Sequence, residues 1–160
     1  MDQKKLSLLL KAVIIGVVLC ALLVYAFIIP SYGKMLIVEG GPGFEKFYTP
    51  WLVVFWITAL PVLAGMALAW IIASNIGKGR SFCMQNAKLL KAIAILAACD
   101  AGFFFIANAV MLLLNMNHPG YVLLSLLPCF AGAAICIICA ALSHYTYKAA
   151  LLQEQSDLTI

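Results

Sequence analysis

Charge is what this chain has least of. Asp, Glu, Lys and Arg make up 10% of its 160 residues, against about 25% in an ordinary soluble domain. Hydrophobic residues fill 66% of it, and the mean hydropathy is +1.09. Such a composition excludes a soluble fold and describes an integral membrane protein. The net charge of +4 does not signal nucleic acid, because the basic residues flank apolar runs and are not interleaved with aromatic readers. A Gly-rich phosphate loop, an HExxH helix and a nucleophile elbow are all missing. No enzyme, no cofactor and no direct nucleic-acid binding is therefore expected, and the length allows one domain, residues 1–160.

Cysteine is present but poorly placed for chemistry. Cys20, Cys99, Cys129, Cys136 and Cys139 lie in apolar runs and Cys83 in a basic loop, so no disulfide is expected. Cys136 and Cys139 form a CxxC, a metal or redox spacing in a soluble protein. Here, set in Ile and Ala with no second pair and no nearby acid, it reads as two small buried residues, and no metal site is expected. His118 falls on the other side of the membrane from it, leaving only His144 within reach.

What the chain has in abundance is long hydrophobic runs. A helix needs about 20 apolar residues to cross a hydrocarbon core of about 30 Å, and four segments qualify: 12–29, 51–73, 92–114 and 121–145. The expected fold is all-α, an integral membrane four-helix bundle, with a loop over 74–91 and a tail over 146–160. The first run follows Lys4, Lys5 and Lys11 as a secretory signal would. It is longer than the about 7–15 residues of a cleaved signal and "AFIIPSYGK" offers no small-x-small site, so it reads as a retained span. Lys4, Lys5, Lys11, Lys78, Arg80, Lys88, Lys91 and Lys148 fall on one side of this topology and only Lys34 and Lys46 on the other. The positive-inside rule then places both termini and the central loop in the cytoplasm, with the protein multi-pass in the cell membrane. Tyr48, Trp51, Tyr121, Tyr145 and Tyr147 fit interfacial anchors.

The two outer connections differ. Pro30 to Pro50 carries "EGGPGFEKFY", whose Gly and Pro argue for turns, whereas "NMNHPG" is short enough only for a tight turn. Pro61 and Pro128 occupy the outer halves of the two inward-running spans, a pairing that hints at a duplicated hairpin with no residue-level repeat behind it.

Asp100 is the one acid inside a span. At eight positions into the third run it lies about 12 Å below the membrane edge at 1.5 Å per residue. An unpartnered ionised carboxylate there costs about 2.5–3.5 kcal/mol on insertion scales, and apart from His144 at the very end of the fourth, no span contains Lys, Arg or His to offset it. A neutral carboxyl is therefore expected. Its functional reading is a proton or cation site, with Asn108 in the same span about 80° away around the helix. Its structural reading is a hydrogen bond to a facing helix, with Thr58 or Ser125 as candidates. Ala97, Ala98, Ala101 and Gly102 around it, and "AGAAICIICAA" in the fourth span, are small-residue surfaces over which helices approach closely in lipid, within the bundle or between copies in a homo-oligomer.

The central loop, "NIGKGRSFCMQNAKLLKAI", offers Ser81 as an N-cap for a short interfacial helix feeding the third span, its lysines at the anionic leaflet. The last span is expected to stay helical to about Gln153. Beyond it, Glu154, Asp157 and the carboxylate of Ile160 lie on the same side as Arg80, Lys88 and Lys91. Docking of this tail on the loop would rest on burying Leu158 and Ile160, since exposed ion pairs are worth only about 0–1 kcal/mol each.

These two stretches carry a resemblance. Gly79, Phe82, Asn86 and Leu90 fit a Gly-x-Pro-Phe-x-x-x-Asn-x-x-x-Leu loop, and Glu154, Asp157, Leu158, Thr159 and Ile160 fit a Glu-Asn-Asp-Leu-Thr-Ile type tail. Both are similar to those of a bacterial family of small four-span membrane proteins classed as a domain of unknown function. Ser81 stands where that family usually has proline, and Gln155-Ser156 departs from its tail. The resemblance implies a gene neighbour of the Cro/CI helix-turn-helix type, hence a membrane partner of a regulator or a small stress or immunity module. It defines no catalytic residues.

Three functions follow as expectations. The first is a regulatory or accessory protein that engages a cytoplasmic partner through Arg80, Phe82, Asn86, Lys88, Lys91, Glu154, Asp157, Leu158 and Ile160. The second is an oligomeric transporter or channel subunit using Asp100 with Asn108. The third is an immunity protein against a membrane-active peptide, with Gly40 to Gly43 as its contact surface.

Overall fold

A computed structural model describes residues 2–40 and 45–157. Among them the chain is entirely helical in its regular structure: α1 (Gln3–Leu23), a π-helical turn (Val24–Ile28), α2 (Ile29–Gly40), α3 (Glu45–Gly77), α4 (Met84–Leu113) and α5 (Pro119–Asp157). α1, the π turn and α2 as far as Val38 run on as one continuous helix, so four helices are long and apolar enough to cross a membrane. The protein is a four-helix membrane bundle.

The helices outrun the apolar segments that announce them. α3 has 33 residues and α5 has 39, well beyond the about 20 that a hydrocarbon core demands. Hydropathy marks where lipid is, whereas backbone hydrogen bonding continues the helix into the polar flanks. Two expectations change as a result. The connection expected as turns from Pro30 to Pro50 is largely helix, since α2 reaches Gly40 and α3 starts at Glu45. Residues 41–44 between them, including most of the expected contact surface, lie outside the described residues. The expected interfacial helix before the third span is simply the first part of α4.

Pro30 is accommodated by the π turn. A proline within a helix has no N–H, and its ring crowds the carbonyl four residues back; widening the preceding turn makes room. The Ile29 N–H bonds to Val24 O, which releases Tyr25 O from its usual partner. Trp56 Nε1 of α3 donates to that carbonyl at 3.4 Å, so the irregularity becomes a contact between spans.

Each span packs chiefly on its neighbour along the chain: α1 on α3, α3 on α4 and, most extensively, α4 on α5. Among the described residues no Cα of α1 comes within 8 Å of one in α5, so the bundle is open along that seam. Small residues set the spacing. Ser7 Oγ donates to Ala73 O at 2.7 Å, and a Cβ on Gly77 would stand 2.7 Å from the same Ser7 Oγ. Between α4 and α5, a Cβ on Gly132 would stand 2.9 Å from Ala101 Cβ and 3.6 Å from Ala97 O. The small-residue surface of the third span thus faces α5 through Ala97 and Ala101, while a Cβ at Gly102 would meet nothing within 4 Å. Large apolar side chains such as Leu123, Phe130 and Ile137 point outward and the buried set, Met111 apart, is small or polar, the distribution expected when lipid replaces water as solvent.

The turns after α3 and α4 close with the same device. After α3, Gly79 adopts φ +79°, its N–H bonding to Ile76 O and that of Arg80 to Asn75 O, each at 3.0 Å. After α4, Asn115 adopts φ 54°, its N–H bonding to Leu112 O at 3.0 Å and that of Met116 to Met111 O at 2.8 Å. These are Schellman caps with a left-handed residue at C′. Gly79→Ala places a Cβ in the left-handed region, which costs about 1–2 kcal/mol. A lower Tm in detergent is expected, whereas Gly16→Ala, mid-helix with nothing within 4 Å of its Cβ, does not lower it.

Candidate functional site

Asp100 lies near the middle of α4 and faces the interior. It lines a cavity of about 390 Å³ to which all four spans contribute: Tyr25 from the π turn, Thr58 from α3, Phe104 from α4 and Gly132 from α5 are among the walls. The cavity lies between α1 and α5 where they stand apart. Asp100 Oδ1 is buried and has no hydrogen-bond partner among the described residues.

The hydroxyls around it have their protons committed. Thr58 Oγ1 donates to Phe55 O at 2.7 Å, so the 3.3 Å contact between Tyr25 Oη and Thr58 Oγ1 has tyrosine as donor, each hydroxyl having one hydrogen. What these oxygens still offer the cavity is lone pairs. With Asp100 they form an acceptor-rich wall, the chemistry that suits a proton or a cation. Thr58, one expected partner of Asp100, is thus tied to Tyr25. Ser125, the other, donates to Val122 O of its own helix at 2.7 Å.

Asn108 is elsewhere. Its Nδ2 donates to Phe104 O at 2.9 Å and its Oδ1 accepts from Asn117 Nδ2 at 3.0 Å. The Asn117 side chain also accepts from His118 N at 3.0 Å, and His118 Nδ1 accepts from Gly120 N at 3.1 Å. Asn108 therefore braces the α4–α5 turn and caps the approach to Pro119, the first residue of α5. Two residues paired by sequence as one ion site are separated by structure into a cavity wall and a turn brace.

At the opposite end of the bundle the α3–α4 loop is short and fixed. Ser81, the expected cap, lies in the bend, and Cys83 occupies the capping position with no side-chain bond. The loop is held by Asn86, which is only 1% exposed. Its Nδ2 donates to Arg80 O and Ser81 O, both at 3.0 Å, and its Oδ1 accepts from Asn75 Nδ2 at 2.8 Å. Asn86, expected at an interaction surface, is internal scaffolding. What the loop displays is Phe82, 60% exposed, beside an exposed Arg80. Lys88 and Lys91 are exposed on α4, Glu154 is exposed on α5, and Asp157 is the last residue of that helix. Helix therefore extends past the expected limit at Gln153. Leu158 and Ile160, on which tail docking would rest, lie outside the described residues.

Residues 37–160 match the model of a family described as Protein of unknown function (DUF2975). The chain belongs to that family. The DUF2975 match covers Thr58, the α3–α4 loop, Asp100 and all of α5, while α1 and the π turn, the remaining wall of the cavity, precede it. No curated protein and no solved structure matches the chain. Sequence had singled out Asp100, Phe82 and the lysines of α4. It missed Tyr25, whose place beside Thr58 depends on the π turn, and Asn75, whose only signal is an asparagine at the end of a span eleven residues before another.

Proposed function

We propose that this protein is a regulatory or accessory membrane component that engages a soluble partner at the end of the bundle carrying the α3–α4 loop, the start of α1 and the end of α5, with that end in the cytoplasm. The observation that supports this most is a fixed loop presenting an exposed Phe82. Asn86 and the Gly79 cap hold the backbone, so little conformational entropy is lost when a partner closes on the aromatic ring. The excess of Lys and Arg at that end supports the orientation. A helix-turn-helix regulator of the Cro/CI type is the partner class that the loop and tail resemblance favours.

A second reading has its own support. The buried, unpartnered Asp100 Oδ1 in a cavity walled by all four spans suits a proton or cation site in an oligomeric transporter or channel subunit. One comparison separates the two. Asp100→Asn and Phe82→Ala, together with a deletion after Gln153, are scored for ion flux in proteoliposomes and for co-purification of a co-expressed helix-turn-helix regulator. Loss of the regulator with Phe82→Ala or the deletion, and not with Asp100→Asn, is expected. Flux that disappears only with Asp100→Asn, with no regulator bound by the intact chain, would replace the first reading by the second.

A further inference from the structure

A second cavity, of about 440 Å³, opens between the first part of α4 and the latter part of α5. It is lined by Met84, Ala87, Lys88 and Lys91 from α4 and by Ala140, Ser143, His144 and Tyr147 from α5. Both sets follow the i, i+3, i+4, i+7 spacing of one helix face, so two complete faces meet across the cleft. The small side chains of Ala87 and Ala140 leave its floor open. Ser143 Oγ donates to Ala87 O at 2.7 Å, which ties the two walls together.

The polar groups converge on one chemistry. Lys88 and Lys91 are neighbours on the helix surface, about 5–6 Å apart at Cβ, and His144 and Tyr147 stand opposite as further hydrogen-bond donors. Among the described residues no carboxylate lines the cleft. Glu154, the nearest acid further along this stripe of α5, stands seven residues beyond Tyr147, about 10 Å along the axis. The site accordingly suits a phosphate, which a lysine pair binds as point charges. Its place decides the source of that phosphate. Lys91 directly precedes the apolar run of α4 and the cleft opens sideways between two spans, where a headgroup at the membrane surface sits while its acyl chains remain in lipid. Exposed Ile137, on the α5 turn before Ala140, continues the surface toward the hydrocarbon.

We infer that the α4–α5 cleft is a binding site for the phosphate headgroup of an anionic phospholipid, held by Lys88 and Lys91 with His144 and Tyr147. This inference rests on the membrane bundle alone and stands whichever function the loop or Asp100 serves.

The test uses the full chain in detergent, titrated with short-chain phosphatidylglycerol, phosphatidylcholine or inorganic phosphate while Tm is followed. Phosphatidylglycerol is expected to raise Tm saturably, with a midpoint about tenfold below that of phosphatidylcholine, and inorganic phosphate to leave Tm unmoved. Lys88→Gln/Lys91→Gln shifts that midpoint up by about tenfold or more, whereas Lys4→Gln/Lys5→Gln, the same charge loss on α1, shifts it by less than about threefold. Ala140→Leu adds bulk at an exposed floor position without changing charge, and it too is expected to abolish the preference. Equal losses in the two lysine pairs would reduce the effect to diffuse attraction and overturn the site. Wild-type behaviour of Ala140→Leu would overturn it as well, even if the lysine variant fails to fold. A Tm rise with inorganic phosphate matching that with phosphatidylglycerol would assign the cleft to a soluble anion instead.

Discussion

Asn86→Leu is expected to destabilise the bundle by on the order of 3 kcal/mol, from about 1 kcal/mol for each hydrogen bond lost. The side chain is 1% exposed, and its removal strands Arg80 O and Ser81 O, which it bonds at 3.0 Å, and leaves Asn75 Nδ2 only a 3.4 Å contact to Gln85 Oε1 in place of its 2.8 Å bond. Leucine fills the space but offers those groups nothing, and buried polar atoms left without partners lose their hydration as well. Thermal unfolding in detergent reads the effect, and limited proteolysis should find new cleavage in residues 78–83. Asn86→Asp sharpens the attribution: its carboxylate still accepts from Asn75, but it sets negative charge against two carbonyls and cannot rescue. An unchanged Tm in either variant would mean that water replaces all three partners and that the loop owes its shape to the Gly79 cap.

Gly132→Ala carries the next largest effect. Its new Cβ would lie 2.9 Å from Ala101 Cβ and 3.6 Å from Ala97 O, so helix axes must shift, in the most extensive interface of the fold. Overpacking of this kind costs about 1–3 kcal/mol. Ala101→Gly made in the same chain removes the opposing methyl and should recover most of the loss, a coupling that a double-mutant cycle measures through Tm. Additive losses would show that the two residues do not meet.

The architecture was legible because four apolar runs of about 20 residues have one physical solution in a bilayer. The helix ends were not, because Gln3, Glu45, Met84 and Asp157 bound helices that continue through polar sequence where hydropathy gives no signal. Asp100 stood out for its chemistry, yet its surroundings came from Tyr25 and Thr58, more than forty residues away in sequence and brought to it only by packing. Asn86 and Asn108 show the converse. Both read as displayed or functional polar groups, and both are buried, at 1% and 3% exposure, because each satisfies carbonyls and amides at a turn. Short polar side chains beside a helix end serve backbone as readily as ligand, and a pattern of residue types cannot separate the uses. The lysine cleft was half visible: the spacing in α4 and in α5 is there to read, but which faces meet is decided by the small residues between them.

The order in which the spans touch has a consequence for biogenesis. α3 packs on α1, α4 on α3 and α5 on α4, so each span after the first finds a neighbour already made when it leaves the ribosome. Sequence-local pairing of this kind lowers contact order and lets the protein assemble one span at a time during insertion. Asp100 then enters the bilayer when the helices bearing Tyr25 and Thr58 are in place, and α5 arrives last, closing Gly132 over Ala101.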